Sequence, residues 1–159
     1  MSTSERYQKT YPISWDQLHR DTKALSWRLH DLGKSWKGVV AVTRGGLVPA
    51  AVIARELGIH YIDTVSITSY KFKEQGEMNI LKKIDDSGED LLIIDDLVDT
   101  GATAKVVKNM LPNAYFATVY AKPAGKPLVD LYVTEVSQDT WILFPWDSES
   151  QFVTPIAGE

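Results

Sequence analysis

Leu91-Leu92-Ile93-Ile94-Asp95-Asp96-Leu97-Val98-Asp99-Thr100-Gly101-Ala102-Thr103-Ala104 is the stretch on which the fold turns. Its first four residues are continuously apolar, which predicts a strand buried on both faces, as in parallel sheets. Such a strand hands two adjacent carboxylates, Asp95 and Asp96, to its C-terminal edge, where open α/β sheets bind ligands. Neighbouring acids suit a sugar diol or a hard cation such as Mg²⁺. A polar loop is expected over residues 95–103, then a short helix over 104–111 with Val107 and Met110 inward. Free backbone N–H groups at a helix N-terminus, flanked by the hydroxyls of Thr100 and Thr103, make a phosphate cradle. Paired acids after a strand are often only a solvated loop; the whole string in one structural context is far more specific.

The pattern recurs on either side. Upstream, Val39-Val40-Ala41-Val42 reads as another doubly buried strand and runs into Thr43-Arg44-Gly45-Gly46. The spacing of Leu47, Ala51, Ala54 and Leu57 predicts a helix over 47–57, with Pro49 in its first turn and Gly58 past its end. A strand over 61–67 completes a βαβ unit. An amphipathic helix is expected over 14–32, opened by a capping box of Ser14 and Gln17, with Trp15, Leu18, Leu25, Leu29 and Leu32 on its apolar face and Gly33 as C-cap. Downstream, 114–120 reads as a strand. Two βαβ units give an α/β domain with a central, mainly parallel sheet flanked by helices. Between the units, residues 68–90 are charged and long for a tight connection, which suggests a flap. After Lys122 the chain reads as irregular, with four prolines and the aromatics Trp141, Phe144, Trp146 and Phe152.

Composition bounds the function. One domain is expected from 159 residues, with 44% hydrophobic and 24% charged residues, the balance of a globular chain. No cysteine is present, which excludes disulfides, iron–sulfur clusters, thiolate zinc sites and cysteine nucleophiles, and fits the cytoplasm. A net charge of -4 argues against a broad nucleic-acid surface. No apolar run approaches a membrane span, and residues 1–11 are polar rather than signal-like. His19, His30 and His60 lack metal-ligand spacing, and Lys82-Lys83 beside Asp85-Asp86 reads as a solvated face.

The string at 91–104 resembles the phosphoribosyl-pyrophosphate (PRPP) signature of the type I phosphoribosyltransferases: an aliphatic strand, two acids, two aliphatics, then Asp-Thr-Gly-x-Thr. The resemblance implies that family's fold over residues 1–159, with a flexible flap at 68–90 and a base-binding hood at 122–159. It implies transfer of ribose 5-phosphate from PRPP to a nitrogenous base, with Mg²⁺ as cofactor and pyrophosphate released. On matching positions, Asp95 and Asp96 would face the ribose hydroxyls, Asp96 being the Mg²⁺ contact. Thr100, Gly101, Ala102 and Thr103 would hold the 5′-phosphate. Asp99 would sit at the imidazole edge of a purine as the catalytic group. Arg44 and Gly45 would bind pyrophosphate: glycine lets backbone N–H groups approach an anion, and arginine supplies charge and a donor fork.

The likeness extends from residue 15 to 156 through three further strings, Ala41-Val42-Thr43-Arg44-Gly45-Gly46-Leu47-Val48-Pro49, Ala121-Lys122-Pro123-Ala124-Gly125-Lys126-Pro127-Leu128-Val129-Asp130, and Gln138-Asp139-Thr140-Trp141-Ile142 with Pro145-Trp146-Asp147. It narrows to the family's bacterial purine salvage members, for which guanine and xanthine are acceptors and hypoxanthine a weaker one. By that likeness Lys122 would donate to the 6-oxo group, Trp141 would stack on the ring, and backbone groups at Ile142 would read the 2-substituent. Self-association, as a homotetramer, is implied too.

Two departures stand out. Ala102 replaces the family's second glycine, which is harmless only if the position is helical. The flap arginine of the family counts to Gly76, with Lys71 and Lys73 nearby. Two rivals accompany this reading. A PRPP-sensing regulator on the same fold would lack turnover, and its nucleic-acid-binding form would show a basic face. A phosphoacceptor receiver domain would carry its acid pair near the first strand instead. The C-terminal aromatics read as substrate hood or subunit contact, with a peripheral contact on the inner face of the cell membrane left open.

Overall fold

The computed structural model describes residues 7–69, 78–147 and 153–158. In chain order the elements are β1 (Lys9–Pro12), α1 (Trp15–Asp31), β2 (Gly38–Thr43), α2 (Leu47–Leu57), β3 (Ile62–Ser69), β4 (Met78–Lys82), β5 (Leu91–Val98), α3 (Ala102–Met110), β6 (Tyr115–Ala121), β7 (Leu131–Glu135) and β8 (Thr140–Leu143). Six strands form one sheet in the order β4-β3-β2-β5-β6-β7, and β1 pairs with β8 in a separate two-stranded sheet. Every neighbour in the main sheet is parallel except the β3–β4 hairpin. The expected α/β architecture is what is found.

The continuous apolar runs divide by alternation. Val39 and Ala41 of β2, with Leu92 and Ile94 of β5, join a core with Leu18, Leu25 and Leu29 of α1 and Ala50, Ile53 and Ala54 of α2. Val40, Val42, Leu91 and Ile93 face the opposite core, closed by Ala104 and Val107 of α3. Both strand faces are therefore buried, because helices cover both sides.

Helix ends follow local chemistry. Ser14 caps α1, its Oγ accepting from Gln17 N at 3.1 Å. The capping box is only half made, because Gln17 donates its amide to Asp21 and accepts from Arg20 instead. Leu32 is the C-cap and Gly33, at φ +67°, the residue after it. Two residues expected on the buried face are exposed, Trp15 (54%) and Leu32 (40%). The face of α2 is likewise rotated: Leu47 and Ala51 are exposed, and Pro49, Ala50, Ile53 and Ala54 are buried. Gly58 closes α2 in the left-handed region, as expected.

Three corrections concern extent. The fold-deciding strand runs four residues further than its apolar run, so Asp95 and Asp96 lie within β5 rather than in a loop, Asp95 opposite Thr118 of β6. The ladder supplies backbone partners there, so side-chain polarity does not end the strand. The region after Lys122 is not irregular: β7 extends the sheet in parallel and β8 pairs with β1, itself drawn from the polar N-terminal stretch. Within 68–90, β4 pairs antiparallel with β3; residues 70–77, with Lys71, Lys73 and Gly76, lie outside the described residues, as does Phe152. Phe144 is core, stacked on Trp146 at 4.9 Å. Lys82 is not freely solvated, since its Nζ donates to Asp63 and to Thr64 O. No helix among the described residues is long and apolar enough to cross a membrane.

Candidate active site

The chain runs outward from β2 to β3, crosses back to β5, then continues outward to β6. Strand order therefore reverses between β2 and β5, and ligands of open α/β sheets bind in the crevice at the carboxyl ends there. Two of the segments singled out from sequence meet at this point. A Cβ on Gly45 would overlap the Asp96 carboxylate, so the turn after β2 and the acid pair of β5 lie in direct apposition, and only glycine fits between them. Arg44 of the same turn is exposed and follows a cis peptide bond.

Burial first, and the Asp96 charge second, push the Asp95 carboxyl well above the usual carboxylate range. Asp96 is raised as well, again chiefly by burial, with hydrogen bonds partly opposing. Asp95 Oδ1 accepts from Asp96 N at 2.8 Å. Among the described residues neither acid has an ion-pair partner. Two half-buried neighbouring carboxylates, neither paired with a basic side chain among the described residues, are the donor chemistry that suits Mg²⁺, which takes one or two carboxylates and completes its shell with water or substrate phosphates. Among the described residues no group of three His, Cys, Asp or Glu offers a closed metal cage.

Beyond the pair, the loop over 99–103, expected to hold phosphate, borders a cavity of about 280 Å³ lined by 95–104 together with Met78 and Phe116. Gly101, at φ +92°, is the N-cap of α3. Ala102 is its first helical residue, so the departure from the family glycine falls where alanine is at no disadvantage. Thr100 Oγ1 accepts from Ala102 N at 3.4 Å. The loop thus presents the start of α3 and the Thr100 and Thr103 hydroxyls to one hollow. A larger hollow of about 580 Å³ lies among Lys34, Trp36, Asn113 and Tyr115, at the amino ends of β5 and β6, away from the ligand-binding edge.

A second cluster forms around Asp99. Lys122 Nζ stands 3.1 Å from Asp99 Oδ2, and its side chain is 1% exposed. Tyr7 donates its hydroxyl to the same Oδ2 at 2.8 Å, and Gln138 Nε2 donates to Oδ1 at 2.7 Å. The Tyr7 ring covers the Lys122 ammonium, 4.4 Å from its centroid, and meets the half-buried Trp141 edge-on at 5.2 Å. Lys9 N donates to Asp139 O and Ile13 N to Leu143 O, so odd-numbered residues of β8 point their backbone groups at β1. Strand alternation then turns the N–H and C=O of Ile142 to the other edge.

The structure therefore brings Asp99, Lys122 and Trp141 together through Tyr7, and sets Asp95, Asp96 and 100–103 around one cavity. Met78 and Phe116 of the cavity, and Tyr7 and Gln138 around Asp99, went unassigned in the sequence. Tyr7 sits in a polar terminal stretch with no periodicity to announce it. Gln138 stands inside a quoted string, but an isolated glutamine carries no signal of the carboxylate it serves.

The chain matches the family model for the phosphoribosyl transferase domain over residues 14–152. It is 68% identical to a xanthine-guanine phosphoribosyltransferase of Desulfotalea psychrophila, over 98% of this chain and 97% of that one. It is 62% identical to the protein of the same name from Nitratidesulfovibrio vulgaris, over 100% and 98%. Among solved structures, a purine phosphoribosyltransferase from Pyrococcus horikoshii superposes with TM-score 0.75 at 26% identity, over 93% of this chain and 100% of that one. Helicobacter pylori xanthine-guanine-hypoxanthine phosphoribosyltransferase gives 0.72 at 21% identity, over 86% and 93%, and speaks for the fold alone. With acid pair, phosphate loop and glycine turn gathered at one sheet edge, and with these matches along nearly its whole length, the chain belongs to the phosphoribosyltransferase family.

Proposed function

We propose that this protein is a purine salvage enzyme that converts guanine and xanthine, and hypoxanthine more weakly, to GMP, XMP and IMP with PRPP, releasing pyrophosphate. The observation that carries the reading is the side-by-side placement of two clusters on one segment, the acid pair and phosphate loop at 95–103 and the Asp99–Lys122 pair within it. The phosphate loop grips the 5′-phosphate, and Asp95 and Asp96 take the ribose hydroxyls. Arg44 and the backbone at Gly45 receive the pyrophosphate. Lys122 donates to the 6-oxo group, which favours oxopurines over adenine, and Trp141 supplies a flat platform for the ring. The ring nitrogen forms its bond to the anomeric carbon as the bond to pyrophosphate breaks and the leaving group keeps the electron pair. Asp99, at the imidazole edge, takes up the proton the purine loses. Asp96, beside Asp95, would hold Mg²⁺, which would supply positive charge against the pyrophosphate. Positioning and charge stabilisation do most of the work.

In this reading residues 1–159 act as one catalytic domain, with 68–90 as a flap and 122–159 as the base-binding hood. The enzyme works in the cytoplasm as a homotetramer; a peripheral contact with the inner face of the cell membrane would draw on the exposed Trp15 beside Trp146. Sedimentation velocity tests the assembly. The decisive experiment is a chromatographic nucleotide assay with PRPP and Mg²⁺, offering guanine, xanthine, hypoxanthine and adenine separately. Turnover of guanine and xanthine with adenine inert is expected. PRPP binding by calorimetry without turnover of any base would instead support a PRPP sensor.

A further inference from the structure

Gln138 Nε2 lies 2.7 Å from Asp99 Oδ1, and Gln138 Oε1 accepts from Ala124 N at 2.9 Å. The second bond fixes the first. A backbone N–H can only donate, so the side-chain atom facing Ala124 must be the oxygen, which leaves the amide nitrogen facing Asp99. Gln138 thereby ties three segments together: the loop before β8, the turn after Lys122, and the residue that opens the phosphate loop. With Oδ1 held, the Asp99 carboxylate presents Oδ2 to Lys122 and Tyr7, the side on which the purine is placed.

We propose that Gln138 is the positioning residue of the base subsite, which orients Asp99 by holding Oδ1 and so turns Oδ2 toward the side on which the purine is placed. The inference rests on the assignment of Asp99 to the base. A glutamine is well suited here because it donates on one side and accepts on the other without adding charge beside a carboxylate. An ionised glutamate could satisfy Ala124 N–H but would oppose Asp99, whereas a protonated one reproduces both bonds. The groups facing this point are Asp99, Lys122 and the Tyr7 hydroxyl.

The test compares Gln138→Glu, Gln138→Leu and Asp99→Asn in steady-state assays from pH 5.5 to 8.5, with circular dichroism confirming that each variant is folded. Gln138→Leu is expected to lower kcat for guanine by about tenfold or more while KM for PRPP stays within about twofold. Gln138→Glu should be strongly impaired at pH 8.5 and recover relative to wild type as pH falls, because its added carboxyl then carries the donor proton. A Gln138→Glu profile parallel to that of the wild type, or an undiminished kcat in Gln138→Leu, would overturn the proposal. If Asp99→Asn loses activity while both Gln138 variants keep it, the base subsite stands and Gln138 is excluded. If Asp99→Asn itself is fully active, the assignment of Asp99 fails and takes the role of Gln138 with it.

Discussion

At the scale of single residues, the site is governed by who stands against the carboxylates. Gly45 faces Asp96 with no space for a methyl group, so Gly45→Ala must displace either the carboxylate or the turn. Asp96 lies in β5 between Asp95 and Leu97, both paired to β6, so its backbone is held and any retreat falls to its short side chain. The expected result is a PRPP affinity lowered about tenfold or more, with the melting temperature little changed because Gly45 sits in a partly exposed turn; calorimetric titration with PRPP checks it, and wild-type affinity would refute it. Tyr7 stands against the other carboxylate. It covers Lys122, donates to Asp99 and touches Trp141, so a purine reaching those groups has to take its place. Removing the hydroxyl removes one competing hydrogen bond, worth about 1 kcal/mol. Tyr7→Phe is accordingly expected to lower KM for guanine by about fivefold with KM for PRPP unchanged. A raised guanine KM would mean that Tyr7 helps to hold the base rather than to cover its site.

At the scale of elements, the phosphate loop shows how backbone geometry was legible and where legibility stopped. Gly101 is at φ +92°, and a Cβ there would also overlap the Leu128 side chain from the turn after Lys122. Gly101→Ala is expected to cost about 1–3 kcal/mol in strain and to raise KM for PRPP more than KM for guanine, measured by melting and by steady-state kinetics. Equal rises would place the damage in the hood instead. That a glycine was needed at 101 and not at 102 is set by where α3 begins, and the expected start of the helix was two residues late. The doubly buried strands were readable because Val39–Val42 and Leu91–Ile94 are apolar on both faces and must be covered twice. The last half of β5 was not, since its partners are backbone groups of β6 and the two acids that open it break the apolar run. Strands β1, β7 and β8 escaped for a related reason: β1 is wholly exposed and β7 half-buried, so neither shows a buried pattern, and β1 and β8 become strands by pairing across most of the chain length. Among the residues gathered at the candidate site, those with distinctive chemistry in a dense motif could be singled out from the sequence. Tyr7, Met78 and Gln138 could not, because each is brought to the site from afar by the fold.

At the scale of the whole molecule, the acid pair sets stability against function. Burial and mutual repulsion raise the Asp95 carboxyl in the folded protein above its unfolded value. Between those two values the folded state binds the proton and the unfolded state does not, so stability falls as pH rises. The contribution is fully present below the unfolded carboxylate range and is lost as pH passes through the raised folded value. Once pH exceeds that raised folded value, the folded enzyme bears the cost of two half-buried neighbouring charges. Asp95→Asn keeps an oxygen able to accept from Asp96 N and removes one charge. Its melting temperature at pH 7.5 should exceed that of the wild type, by about 2–4 °C for each kcal/mol relieved, and the difference should shrink as pH approaches 4. Its turnover should collapse, since the ribose loses a charged acceptor. A divalent cation offers the wild type the same relief by binding. Millimolar Mg²⁺ should thus raise the wild-type melting temperature, EDTA should reverse the rise, and a variant carrying both Asp95→Asn and Asp96→Asn should respond to neither. An equal Mg²⁺ response in that double variant would move the cation site elsewhere in the molecule. A lower melting temperature for Asp95→Asn at pH 7.5 would show that the paired charges stabilise the fold, contrary to their burial.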